Sequence, residues 1–512
     1  MAITERTFRL SGLEEPYEVV VADVDEGLSM PTRAHVKLRL ELPQALDAEA
    51  ALGKDVVLEM LEDDTPVRAF HLVVQGVLDH GENVEGHDFE LDLLDRFGML
   101  ELRKDLRIFQ EKTSVDIVKL VFERAGIDVG TCEFQVSRTL PKRVYCVQYR
   151  ETDRDFSERL MDFEGIWTIP ADEPDAAKTI FADDKTVFKP IEGEHVLPFL
   201  DGGIGTGVLE FEATHSVITE EVVLRDYNYE TPGVDLTSTA GVSGAKSSRY
   251  EFPGGYQTQA DGKALAQIRL EEHLAQRTVA KGLAHNPQLR PGRTFDLTET
   301  TRDALNVTWL VRAVTHRFER TGGDQQVSYS CRFEASPADQ AYRPKRRHKW
   351  PVVPGSHSIK VTGPAGEEIH TDSLGRMKGK FFWDREGKED DKATCWMRVI
   401  QLPIGGSQAL ARVGWEMIVR YAYGDPDRPI AVCRVDNGAH TAPYSYPKAA
   451  SAMSFKTLSS PGGGKYNEIT MEDGGGGQKF GVTASKDWNE QVNNNKTEKI
   501  GANEKLEVGT TL

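Results

Sequence analysis

Residues 491–509, QVNNNKTEKIGANEKLEVG, decide the architecture. Val492, Ile500 and Val508 recur at a step of eight, Asn493, Gly501 and Gly509 follow them, and Asn495 and Asn503 keep the same step. That period is neither helical nor a heptad and points to a β-solenoid. About three repeats are present, with few apolar groups in each. Burying one Val or Ile contributes roughly 1.5–3 kcal/mol, whereas ordering each backbone residue costs about 1–2 kcal/mol. One such ribbon alone does not fold. Wound with copies of itself it shares an apolar axis and pairs its edges. A triangular three-chain prism is the simplest such shape, with Val492, Ile500 and Val508 directed at the threefold axis.

Upstream of this tail, residues 361–437 hold short strands separated by turn signals such as Gly424-Asp425-Pro426-Asp427, a pattern suited to a small Greek-key barrel of the OB type. Before them comes a composition break at residues 343–349 (RPKRRHK), followed by Pro351, Pro354 and Gly355. This reads as a solvated linker, with contact to an acidic neighbouring subunit as the alternative. Residues 1–100 are strand-rich. Val36, Leu38 and Leu40 alternate with Lys37, Arg39 and Glu41, and Phe89, Leu91 and Leu93 repeat the pattern, as expected of half-buried strands closing into a barrel or sandwich.

Three helices are expected. Residues 113–125 open with a capping-box-like Thr113 and Asp116 and end at Gly126; residues 153–164 place Phe156, Leu160 and Phe163 on one face and stop at Gly165. Residues 261–281 carry a Leu265, Ile268, Leu274 stripe with Gly282 beyond it. A second β region follows over residues 283–340. The chain is therefore mainly β with a few α-helices.

At 512 residues it is too long for one core, so two to four domains are expected. No run approaches the roughly 18 apolar residues of a membrane helix, and the first nine residues hold no apolar signal-peptide core. A formal charge of −19 argues against a general nucleic-acid binder. The five cysteines, Cys132, Cys146, Cys331, Cys395 and Cys433, lack CxxC spacing, which speaks against a disulfide framework or a zinc site and suits a reducing cytosol.

Residues 145–166 (YCVQYRETDRDFSERLMDFEGI), 331–344 (CRFEASPADQAYRP), 372–387 (DSLGRMKGKFFWDREG), 395–401 (CWMRVIQ), 412–416 (RVGWE), 424–429 (GDPDRP), 438–444 and 459–473 (SSPGGGKYNEITMED) form a distinctive series. Together these segments resemble the VgrG spike proteins of type VI secretion. The resemblance runs from about residue 5 to the end, in the family's order. The loop after Gln401 (LPIGGSQALA) departs from the family's Trp-Ala-Gly-containing stretch.

The resemblance implies a homotrimer. Residues 1–345 would be a phage-hub-like domain of duplicated β-barrels, 346–355 a linker, 356–445 an OB-fold collar and 446–512 a triple-stranded β-helix stem. It implies a non-enzymatic spike seated on a hexameric, Hcp-like inner tube, carrying a PAAR-type tip protein and an effector or its adaptor, and meeting the target membrane mechanically. Such a protein assembles in the bacterial cytoplasm and leaves through the contractile apparatus. No toxin domain and no lysozyme-like module are expected within the sequence. The spike of an extracellular contractile injection particle or a phage tail is the nearest alternative.

The residues offer little catalytic chemistry. Among thirteen histidines there is no HExxH or HxH, and His71 and His316 sit in strand patterns. Gly202, Gly203, Gly205 and Gly207 lack dinucleotide or Walker spacing and read as a flexible loop. There is no GxSxG. Asp153, Asp155, Glu158 and Asp162 are expected on the solvated side of their helix. No catalytic residue, cofactor or metal is expected. Two readings of other classes remain: a β-scaffold glycan hydrolase, which needs convergent carboxylates in a groove, and a polysaccharide-binding adhesin, which needs Trp383, Trp396 or Trp415 exposed as a platform.

Overall fold

The computed structural model describes residues 6–200, 205, 207–321 and 326–510. It divides into two compact units. The first comprises Met1–Ser356 with Trp383–Gly387 and Arg420–Pro429; the second comprises His357–Phe382, Lys388–Val419 and Ile430–Leu512.

Strict alternation closes a barrel at the start of the first unit. The strands Arg6–Ser11, Asp55–Glu62, Thr65–Asn83, Gly86–Leu94, Met30–Leu40 and Tyr17–Gly27 pair in that order, and pairing of Tyr17–Gly27 back to Arg6–Ser11 shuts the ring. Val36, Leu38, Phe89 and Leu91 are fully buried inside it with Phe8, Leu58 and Val74. Removing such side chains from water supplies the main driving force, and closure leaves few free strand edges.

A second barrel grows from the first. Tyr17–Gly27 also pairs with the long strand Thr308–Thr321, which pairs with Gln326–Pro337. Thr278–Ala284 and Val208–His215 continue on one side, Arg293–Thr298 and Val196–Pro198 on the other. A bridge between Phe199 and Val208 closes that ring. Its core is Val208, Phe295, Trp309, Val311 and Phe333.

The two barrels meet on a buried polar group. The Arg68 guanidinium donates to both Glu26 carboxylate oxygens at 2.9 and 2.8 Å, and Nε2 of His316 lies 3.0 Å from Glu26. A neutral His316 donating through Nε2 accepts the Tyr329 hydroxyl proton at Nδ1, 2.8 Å away. Burial pushes the Glu26 carboxyl up, but Arg68 and His316 outweigh it and hold its pKa at about 2. Burial pushes His316 below the usual imidazole range.

Two inserted layers complete the unit. Ser114–Arg124 carries the expected capping box between Thr113 and Asp116. Asp153–Glu164 stops at Gly165, whose φ of 74° is the left-handed cap that glycine favours. Ile117, Val121, Phe122, Phe156 and Leu160 bury together. The third helix is corrected. It spans Gln259–Leu274, capped by the Thr258 hydroxyl, rather than 261–281, and Thr278–Ala284 is a strand. Arg277 and the β-branched Thr278 and Val279 leave the helix for the sheet. Gly282 is no cap; a Cβ there would strike the Phe333 ring.

The run at 343–349 is corrected as well. Arg343 bonds Glu271 at 2.7 Å, Arg346 forks onto Glu251 and reaches Glu272, and His348 lies 2.5 Å from Glu158. These acidic partners belong to the same chain, so the segment is a strap laid across its own unit.

In the second unit, a five-stranded sheet runs in the order Lys378–Phe381, His357–Thr362, Glu416–Tyr421, Pro429–Val435, Arg398–Val399. A separate antiparallel meander follows: Ala452–Leu458, Tyr466–Glu472 and Lys479–Thr483.

Candidate functional site

Register shows what the meander presents. Met453 faces Met471 and Phe455 faces Ile469 across the first pair; Met471 faces Phe480 and Ile469 faces Val482 across the second. Directly opposed residues point to one side of a sheet, so these six apolar side chains form one face. It is open: Phe455 is 57% exposed and Phe480 67%. The other face carries Lys456, Glu468 and Glu472, with Glu468 bonded to Ser454 and Tyr444.

Residues 484–510 hold neither strand nor helix, and nearly all of them are exposed. Val492, Ile500 and Val508 remain 47%, 44% and 45% exposed, so the single chain does not cover them. Sequence reasoning singled out these three and did not single out the six on the meander. The alternation of Met453 with Phe455 and of Ile469 with Met471 was the available signal.

The chemical candidates are otherwise committed to structure. Asp153, expected in solvent, is buried against Arg107, Arg103 and Gln148. Asp162, also expected in solvent, is buried and accepts the Arg347 N–H; burial pushes its pKa up to about 7. Glu158 pairs with Arg154 and His348, while Asp155 stays half-open. Asp162 lines a largely apolar cavity with Asp95, Phe97, Phe122 and Phe181. Asp95 is tied there to the N–H groups of Thr32 and Gly98, and burial pushes its pKa up to about 6. Both carboxylates thus serve backbone donors.

His71 and His316 lie in strands as expected, and Gly207 leads into Val208–His215, whereas Gly202 and Gly203 lie outside the described residues. The Trp396 ring packs, tilted, against His370 with centroids 4.8 Å apart, and Trp415 lies under Arg434; with Trp383 they are half-buried, not the open platform an adhesin requires. Among the described residues no group of three His, Cys, Asp or Glu is placed to hold a metal ion.

The segment 424–429 has a positioning role within the first unit. Asp427 accepts the Val147 N–H at 2.7 Å, Asp425 accepts the Trp350 indole N–H at 2.9 Å, and Arg428 forks onto Asp226 at 2.8 and 2.7 Å.

Comparison with known proteins accounts for both the barrels and the open tail. The phage tail baseplate hub (GPD) family matches residues 25–322, and the bacteriophage T4 gp5 C-terminal trimerisation domain matches residues 453–511. The type VI secretion system spike protein VgrG4b of Pseudomonas aeruginosa is 33% identical over 97% of this chain and 64% of its own length. VgrG1b of the same organism is 31% identical over 98% of this chain and 70% of its length. The chain belongs to the VgrG family of type VI secretion spike proteins. It spans less than two thirds of the length of VgrG4b. Among solved structures, the E. coli c3393 protein, described as a component of the type VI secretion system similar to the T4 tail proteins gp27 and gp5, shares the fold. Its TM-score is 0.62 at 22% identity, over 84% of this chain and 99% of that one. The open face of the meander and the exposed Val492, Ile500 and Val508 all fall inside the region matched by the trimerisation domain.

Proposed function

We propose that this chain acts as a non-enzymatic trimeric hub and spike at the tip of a contractile injection machine. The observation that carries this is the tail: a contiguous apolar face and an eight-residue apolar repeat, both uncovered in one chain and both within a trimerisation domain. Val492, Ile500 and Val508 form the threefold axis of the stem, and Met453, Phe455, Ile469, Met471, Phe480 and Val482 line its head. Burying them between copies supplies the association energy, and pairing strand edges between chains leaves few places for unravelling to begin.

Three hubs of two barrels each present six similar modules, suited to seating on a hexameric, Hcp-like inner tube. The stem carries a PAAR-type tip protein and an effector or its adaptor, and the spike is exported through the apparatus and pierces the target membrane. Residues 1–345 form the hub, 346–355 the connection, 356–445 the collar and 446–512 the stem. Mass in solution tests the reading. Three times the chain mass, with pull-down of a hexameric tube protein, is expected; a stable monomer at micromolar concentration overturns it.

A further inference from the structure

We propose that the loop over residues 400–409 is a second contact between copies of this chain, seated against a neighbouring copy at the head of the stem; this rests on the trimeric reading above. The loop carries Ile400, Leu402 and Ile404 at 55%, 61% and 64% exposure. From Ile400 to Ala411 there is no charged residue, in a chain of which 28% is charged. Adjacent exposed aliphatics without charges mark an interface rather than a solvated turn.

The loop is shaped, not slack. The Gln401 side chain spans its base, donating to the Ala409 carbonyl at 3.2 Å and accepting the Ala409 N–H at 2.9 Å. The Ser407 hydroxyl donates to the Leu402 carbonyl at 3.2 Å, and the Ile400 N–H is held by the Ala431 carbonyl at 3.0 Å. A loop with its conformation already fixed loses less entropy on docking.

Two observations favour a second copy as the occupant. First, Arg412, just past the loop, donates to the Leu458 carbonyl and to Glu368 at 3.2 Å, and Glu368 accepts the Gly462 N–H. The loop's exit is thereby tied to the end of Ala452–Leu458, the strand that contributes Met453 and Phe455 to the open apolar face. Second, each copy carries a formal −19. Like-charged copies approach closely at least cost where charge is missing, and this loop is such a place.

The test places a photo-crosslinking benzoylphenylalanine at position 402 of the full-length chain and adds the L402D/I404D variant. Irradiation of the purified protein is expected to give covalent species of two and three chain masses. L402D/I404D is expected to raise the concentration of half-dissociation by about tenfold or more. A trimer by mass that yields only single-chain bands and an unshifted L402D/I404D overturns the loop contact while leaving the trimer standing. A wild-type monomer overturns the trimeric reading and this contact with it. Binding of the wild type, but not L402D/I404D, to phosphatidylcholine vesicles without cross-links overturns the contact in favour of a lipid surface.

Discussion

Ile500 is the most informative place to perturb the stem. In one chain it keeps 44% of its surface open, and Val492 and Val508 keep 47% and 45%. Closing the open half of such a side chain is worth about 1 kcal/mol, hence about 9 kcal/mol over the nine copies on a threefold axis. Ile500→Ala forfeits about 3 kcal/mol per trimer, raising the three-body dissociation constant about 100-fold and the half-dissociation concentration about tenfold. Ile500→Asp brings three carboxylates onto the axis. An unpaired buried charge costs about 3–5 kcal/mol, so three of them cost as much as the whole apolar axis provides, or more. Lys499→Asp changes the charge further but lies one residue off the axis, and it should leave the stem intact. Trypsin reads the result directly, because Lys496, Lys499 and Lys505 lie in the stretch. Wild type and Lys499→Asp should resist cleavage there, Ile500→Ala should resist only at high concentration, and Ile500→Asp should be cut at every concentration. Protection of Ile500→Asp equal to wild type, or equal sensitivity of Lys499→Asp, would refute the axial assignment.

Three further outcomes follow from the same physics. Glu26→Ala strands the Arg68 guanidinium and should cost about 3–5 kcal/mol in urea unfolding of the hub, whereas Glu26→Ala/Arg68→Ala should cost clearly less than the sum of the single variants; additivity would show the pair is not coupled. Asp162 has a folded pKa raised to about 7, so below the ordinary carboxylate range it adds no penalty, and stability should fall as pH rises from about 4 to about 7. Asp162→Asn should remove that fall, seen as a flatter profile of unfolding midpoint against pH; an unchanged slope would count against it. Stem protection from trypsin should rise with protein concentration while the urea midpoint of the hub barrels stays constant, and a concentration-independent stem would contradict assembly between copies.

Local patterns made the barrel strands and two helices legible. Val36, Leu38 and Leu40 alternate with charged neighbours because one side of the strand faces a core, and Thr113 and Asp116 announce a helix start by bonding each other's backbone. Closure of the rings was not legible from pattern. It depends on pairs such as Leu10 with Tyr17 and Phe199 with Val208, and nothing local distinguishes a strand that closes a ring from one that ends a sheet. The helix at 259–274 was overextended because Lys281 and Gly282 imitate a helix end, while the strand beginning at Thr278 is fixed by partners at 208–215 and 331–335. The basic strap looked solvated because its acidic partners, Glu251, Glu271 and Glu272, lie some seventy or more residues upstream. On the meander, the Gly-rich turns and Lys and Glu of the opposite face hid a six-residue apolar face whose members lie on three separate strands.

The hub and the stem solve the same problem of free strand edges in opposite ways. The hub pairs its edges within the chain, and it tolerates a buried Glu26, Arg68 and His316 because each donor and acceptor meets another at a fixed place in two closed rings. Its folding is a first-order event. The stem keeps its edges and apolar face unpaired in one chain, so its folding is third order in concentration and becomes favourable only when copies are held together. Whole copies, each carrying −19, resist random collision. Contacts outside the stem that hold copies together would raise the local concentration of stems into the millimolar range typical of short tethers. An uncharged, pre-shaped loop whose exit is tied to the stem's first strand is well placed to supply such a contact. Assembly would then proceed from closed barrels, through contacts near the collar, to a stem that winds last and ends with its edges paired.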